Sequence, residues 1–291
     1  MKKVLSVHRG GEHHWVGDGF PVRTIFHYEG LGRELTPFLL LDHAGPADFE
    51  ATDRQRGVGW HPHRGFETVT VVYDGGVDHE DSAGNRGSIG PGDVQWMTAG
   101  SGVLHKELHG RDYARRGGRF EMLQLWVNLP AKSKMTAPNY QTLLARNIPT
   151  VELPQVGGIV RVIAGEFEGV KGPARTFTPI NLLDLRLRSG HRLELDLLDS
   201  CTAALFVLKG RVVVNGEESV DQNELVVFQR EGGTVSIQAT ADATVLVLNG
   251  QPIDEPIAGY GPFVMNTREQ IQQAIADMRA GRLGKVPAST T

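Results

Sequence analysis

The stretch HPHRGFETVTVVYDGGVDHEDSAGNRGSIGPGDVQWMTAGSGVLHKE, residues 61–107, decides the fold. Its apolar runs are short, rich in Val and Thr, and cut off about every ten residues by Gly, Pro, Asn or Asp, the spacing of strands in an all-β sandwich or barrel. Strands are expected at Glu67 to Tyr73, Val77 to Glu80 and Val94 to Thr98. DSAGN at 81–85 supplies residues that tolerate or stabilise hairpin dihedrals, so it marks the tip between two strands, and PGD at 91–93 is read the same way.

The pattern continues outward. Pro37 to Leu41 and Glu121 to Val127 are strand-like on either side, and the second half adds Leu193 to Leu197, Ala204 to Lys209, Arg211 to Val214, Leu225 to Phe228, Thr234 to Ala239 and Thr244 to Leu248. ETVTVVYDG (67–75) parallels AALFVLKG (203–210), and LQLWVNLP (123–130) parallels VLVLNGQP (245–252), in pattern more than identity. Two copies of one β-unit are expected. Pro130, Pro138, Pro149 and Pro154 crowd residues 129–158, which places the connection there and gives domains 1–135 and 136–291. A length of 291 residues agrees, since about 150 per domain predicts two. One helix is expected at the C-terminus, about 267–281. There Ile271, Ala274, Ile275 and Met278 form one apolar stripe, Thr267 and Gln270 a capping box, and Gly281 a stop. Its narrow stripe reads as packing on a sheet, and no function is assigned to it.

Composition removes several functions. Thirty basic against thirty-four acidic residues leave a formal charge of -4, so no general attraction to nucleic acid or anionic lipid follows. The single cysteine, Cys201, rules out an internal disulfide and a tetrathiolate metal site. After Met1-Lys2-Lys3 only Val4-Leu5 and Val7 are apolar before His8-Arg9, too short for a signal peptide, and nothing approaches the ~20 apolar residues of a membrane span. No membrane association and a reducing cytoplasm are expected.

Any metal would therefore have nitrogen and oxygen ligands. His61 and His63 stand two apart, so on one strand both rings face the same way. Forty-two residues after His63 comes His105-Lys106-Glu107, a second i, i+2 pair of ligand types just beyond the glycine-rich TAGSGVL segment. One such pair alone is more often solvated or hydrogen-bonded than ligating. Two pairs inside a β-barrel converge three imidazoles and a carboxylate on one cation and leave positions for water, substrate or dioxygen. Glu67 has the same parity as His61 and His63 and is a rival ligand or a carboxylate that orients one. His13 and His14 are adjacent and face opposite ways on a strand. His79, beside Glu80 and Asp81, reads as solvated, while His27, His43 and His109 are candidates for a pocket wall. Arg111, Arg115, Arg116 and Arg119 read as a solvated basic face.

Residues 61–107 resemble the signature of the pirin family within the cupin superfamily. PFLLLDH (37–43), EMLQLWVNLP (121–130) and NTREQIQQAI (266–275) are pirin-like as well, so the resemblance covers most of the chain. It implies two cupin (double-stranded β-helix, or jelly-roll) barrels in tandem, with iron in the N-terminal one held at positions that fall on His61, His63, His105 and Glu107. The general cupin pattern puts asparagine after the last histidine, whereas HKELH at 105–109 fits the pirin variant and favours Glu107 over Glu67. Where the first barrel has HPHRGFE and VLHKE, the second has LLDSCTAA (197–204) and VSIQA (235–239), and His191 is its sole histidine. A second barrel without metal ligands is expected.

An open nitrogen and oxygen site suits Lewis-acid chemistry or dioxygen activation. The resemblance further implies a quercetin 2,3-dioxygenase, which opens the central ring of a flavonol with O2 and releases carbon monoxide. Fe(2+) is the expected metal, with Mn, Ni, Cu, Co or Zn as candidates for the same ligands. Glu107 is the expected proton acceptor for the flavonol hydroxyl as well as a ligand. The pocket for a flat aromatic substrate is expected to be walled by Phe66, Trp96, Met97, Leu123 and Leu125. The alternative implied by eukaryotic pirins is a non-enzymatic, metal- or redox-sensing regulator that binds a protein partner. A third reading is a zinc or manganese isomerase or hydrolase on the same scaffold.

Overall fold

A computed structural model describes residues 1–11 and 13–286. The first twelve strands are β1 (Val4–Arg9), β2 (His13–Val16), β3 (Phe20–Phe26), β4 (Phe38–Phe49), β5 (Gly57–His63), β6 (Phe66–Asp74), β7 (Val77–Asp81), β8 (Arg86–Ile89), β9 (Val94–Thr98), β10 (Val103–His109), β11 (Gly118–Asn128) and β12 (Asn139–Leu143). Helices are α1 (Arg111–Arg116) and α2 (Arg268–Arg279).

Local chemistry sets the strand ends. At DSAGN the Asp81 carboxylate accepts from the backbone N–H of Ala83 and of Asn85, both at 2.8 Å, and Gly84 takes the left-handed conformation with φ 89°. The hairpin tip is therefore closed by its own first residue. Alternation does the rest: β10 buries Val103, His105, Glu107 and His109 and turns the intervening side chains outward.

Two compact units result. One comprises residues 12–33, 39–145 and 253–291, and its strands form a seven-stranded sheet in the order β12-β9-β6-β11-β4-β3-β2 and a four-stranded sheet in the order β5-β10-β7-β8. The other comprises residues 1–11, 34–38 and 146–252 and repeats the seven-and-four plan. In it, strands Thr202–Lys209 and Ala243–Gly250 take the places that β6 and β11 hold in the first unit. The two sequence parallels, at 67–75 with 203–210 and at 123–130 with 245–252, thus fall on equivalent strands.

The division is not the single cut expected near residue 135. β1 pairs antiparallel with Glu224–Phe228, and Thr202 donates its hydroxyl to the Thr36 carbonyl at 2.6 Å, so the N-terminal segment belongs with the C-terminal barrel. Conversely α2 packs Ile271 and Ala274 against Phe263, Met265 and Leu283 in the unit that carries the histidine pairs. Long-range pairing of an edge strand leaves no local mark in the sequence. The helix itself follows expectation: Thr267 caps Gln270 N–H, and the Gln270 side chain accepts from Thr267 N–H.

Candidate metal centre and its cavity

β5 and β10 lie side by side with His61 opposite His105 and His63 opposite Val103. Cross-strand partners share a face, so all three imidazoles enter the barrel. Their ring centroids lie 4.2 Å (His61 and His105), 4.7 Å (His63 and His105) and 4.9 Å (His61 and His63) apart. Each offers a nitrogen, and the three nitrogens are all within 4.8 Å of one another.

The donor set fits a cation. His61 Nδ1 sits 2.8 Å from the Gly59 carbonyl oxygen, which favours a proton on that nitrogen and leaves Nε2 as a lone-pair donor. His63 Nδ1 and both ring nitrogens of His105 are buried without hydrogen-bond partners, a costly state for polar atoms unless something accepts their lone pairs. Burial, reinforced by the charge of His61, holds the pKa values of His63 and His105 well below the ordinary histidine range, so both rings are neutral, as ligation requires.

Glu107 enters the same cavity but not the histidine cluster. Between His105 and Glu107 the partner residue on β5 jumps from His61 to Val58, an irregularity in the ladder between the two ligand types. Gln124 Nε2 on β11 donates to Glu107 Oε2 at 3.0 Å, and Thr70 Oγ1 on β6 donates to Oε1 at 3.3 Å. Burial raises its pKa, against the charge of His61 and these hydrogen bonds.

The turn after His63 is held from behind. Lys134 Nζ, buried, donates to the carbonyls of Gly65 and Val264 and to Asn128 Oδ1 at 2.7 to 2.9 Å. Arg64 donates to the Ser101 carbonyl and forms a part-buried ion pair at 2.7 Å with Asp277 of α2. The C-terminal helix, assigned only packing from its sequence, therefore anchors the residue next to a histidine of the cluster. Neither support was foreseen, because Lys134 and Asp277 are distant in sequence and look like surface residues.

Sequence parity misplaced several other side chains. Glu67 shares parity with His63, but the turn at Arg64-Gly65 ends β5 and restarts the count on β6. Phe66 and Thr70 then face the cluster, while Glu67 faces the other way and accepts from Thr98 Oγ1 at 2.7 Å. Burial pushes its carboxyl up to about 7. On β11 the cavity face holds Met122, Gln124 and Trp126, so the expected Leu123 and Leu125 point away from it. Trp96 shares the Glu67 side of its sheet, opposite Val69, and Met97 packs with Ala99 and Val103 in the core. Phe66 supports the site without lining the cavity, stacked on Trp126 at 4.2 Å and set edge-on to His63 at 5.1 Å.

The remaining histidines lie outside the cluster. His79, expected in solvent, is buried and stacked on Tyr140 at 5.2 Å, and burial lowers its pKa to about 4. His43 faces Glu121 at 3.0 Å, His109 contacts the Gly19 carbonyl at 2.8 Å and stacks on Phe120, and His27 lies on Tyr28. None of the three lines the cavity. His13 sits 2.6 Å from an Arg23 guanidinium nitrogen.

The cavity itself measures about 290 Å³, close to the ~300 Å³ lower end of small-molecule sites. Its polar groups are His61, His63, Glu107, Gln124 and Asp42, set among Phe20, Val22, Met122 and Trp126. Gln124 and Asp42 were missed. Each is a lone polar residue in an apolar strand, EMLQLWV and PFLLLDH, and that interruption was the available signal.

In the second unit the strands in the places of β5 and β10 are Arg192–Asp196 and Thr234–Ala239. Their paired inward residues are Leu193 with Ile237 and Leu195 with Val235, all buried in an apolar core. His191 lies outside that core, against Gly157.

Comparison with known proteins agrees with this two-unit plan. The pirin family model matches residues 19–127, and the model of the pirin C-terminal cupin domain matches residues 182–284. A Pseudomonas aeruginosa protein named "Putative quercetin 2,3-dioxygenase" is 53% identical over 97% of this chain and 98% of its own length. A crystal structure of quercetin 2,3-dioxygenase from Acinetobacter baumannii is 51% identical, covers 98% of this chain and 99% of its own, and superposes with a TM-score of 0.96. The Escherichia coli pirin YhhW, solved with nickel(II), is 20% identical over 85% of this chain and 100% of its own, and its TM-score of 0.66 speaks to the fold alone. No helix among the described residues is long and apolar enough to cross a membrane.

Proposed function

The chain belongs to the pirin family, and we propose that it is a metal-dependent dioxygenase, with iron as its metal, that opens the central ring of a flavonol such as quercetin with O2. One observation carries the reading: three imidazoles converge, two of them with unpartnered buried nitrogens, at the edge of an apolar cavity that also holds a carboxylate. The names of the close relatives supply the substrate class. His61, His63 and His105 would hold the metal, with Glu107 as the fourth ligand when its side chain turns from Gln124. Iron bound there supplies positive charge for a deprotonated hydroxyl and a redox partner for O2.

The chain's own groups do the rest. Glu107, gripped at both oxygens by Gln124 and Thr70, is the acceptor for the proton of the hydroxyl that binds beside the histidines. Phe20, Val22, Met122 and Trp126 give the cavity flat apolar walls that orient an aromatic ring and exclude water from it. Lys134 and Arg64 fix the turn that aims His63.

The test is direct. Iron-loaded protein is incubated with quercetin under air, and the loss of flavonol absorbance is followed. Turnover that disappears in His61→Ala supports the enzyme. No turnover with one iron fully bound overturns it and moves the protein to the regulator class.

A further inference from the structure

The cavity carries a second carboxylate that the proposed reaction leaves unused. Asp42 lies on β4, in the sheet across the barrel from β5 and β10. Strand alternation puts it with Ala44 on the cavity face, while His43 between them turns to Glu121. Thr24, its partner across the β3–β4 ladder, donates Oγ1 to Asp42 Oδ1 at 2.6 Å. That bond orients the carboxylate and leaves Oδ2 as an acceptor for whatever enters.

Its surroundings make the position costly for packing alone. The neighbouring wall is apolar, formed by Phe20, Val22, Ala44 and Met122. No cation pairs with Asp42 at bonding distance among the described residues, and His14, exposed on β2 opposite Val22, acts on it only through its charge. Burial raises the carboxyl's pKa, and the Thr24 bond and His14 lower it again. A carboxylate so placed gains from a ligand hydroxyl and loses from a ligand without one.

We propose that Asp42 determines specificity by accepting a hydrogen bond from a hydroxyl at the end of a flat aromatic substrate remote from the histidines. The site then takes neutral, polyhydroxylated ring compounds and turns away those that present a carboxylate or a methoxy group there. The substrate class, flavonols, rests on the dioxygenase reading. A site that rejects isosteres lacking the hydroxyl discriminates more strongly than an apolar pocket does.

Equilibrium binding, read by fluorescence quenching under nitrogen on metal-loaded protein, separates this from turnover. Quercetin should bind about 10-fold or more tighter than 3-hydroxyflavone, which keeps the ring frame and the hydroxyl next to the carbonyl but lacks the others. In Asp42→Ala the ratio should fall toward one. In Asp42→Asn, which keeps the volume and presents an amide N–H, preference should shift toward methoxylated quercetin. Wild-type protein compared on quercetin and its methyl ethers reads the same contact without any variant. An absent preference in wild type, or a ratio unchanged in both variants, overturns the proposal. Quercetin turnover with an unchanged ratio removes Asp42 and leaves the dioxygenase standing, whereas a collapsing ratio without turnover does the reverse. If no flavonol binds, both fail.

Discussion

The two barrels share one strand plan and differ in what fills it. At the inward positions of β5 and β10 the first has His61, His63, His105 and Glu107, and the second has Leu193, Leu195, Val235 and Ile237. The same backbone serves chemistry in one unit and cohesion in the other, because a β-barrel interior is set by which residues alternate inward, not by topology. Inward leucines stabilise through burial. Inward His63 and His105 sacrifice burial energy and carry unpartnered nitrogens that a ligand would satisfy.

That contrast can be broken from either side. The largest expected effect is His105→Ala, which should remove bound metal and reduce quercetin turnover by about 1,000-fold or more, as loss of a group acting in a unit does, with little change in melting temperature; elemental analysis and the absorbance assay check both. Leu195→Ala should do the opposite in the second barrel, costing roughly 2–5 kcal/mol of stability by chemical denaturation while metal content stays at the wild-type level. A Leu195→Ala protein that loses its metal without losing stability would erase the distinction.

The third expectation concerns pH. Glu67 titrates at about 7 in the folded protein because burial disfavours its charged form, against an ordinary value of 4.5. The folded state therefore holds a proton that the unfolded state has lost. The stabilisation is complete below pH 4.5 and disappears as pH rises to about 7, on the order of 3 kcal/mol in all. Glu67→Gln should flatten that decline in denaturation curves taken across the interval, and an unaltered slope would count against it. The smallest effect is Gln124→Met, which removes the amide that steadies Glu107. It should lower the turnover rate about 10-fold, in the range seen for groups that orient a metal site, and leave metal stoichiometry unchanged.

Much of this was legible in the sequence because it is local. Turn chemistry at DSAGN and PGD fixed the hairpins, and the boundaries Val94–Thr98, Arg211–Val214 and Thr234–Ala239 coincide with the expected strands. The i, i+2 spacing placed the histidines on one face without knowledge of the barrel. Failures came where the count of alternation had to cross an interruption. Glu67 lies beyond the Arg64-Gly65 turn, and choosing Leu123 and Leu125 over Gln124 and Trp126 was a one-residue error that inverted a whole wall. His79 illustrates a different limit, since flanking acids suggested solvent and only the tertiary contact with Tyr140 shows it buried. The contacts of Lys134 with Val264 and of Asp277 with Arg64, and the pairing of β1 with Glu224–Phe228, join residues more than a hundred apart, which no local pattern encodes.

Anomalous diffraction from crystals of untagged protein equilibrated with Fe(II) would show directly whether the first barrel is built around a cation. One peak per chain is expected, among the rings of His61, His63 and His105, with at least one coordination position open toward the cavity. A peak at any other place, or a cation whose neighbours are all protein atoms, would contradict the account.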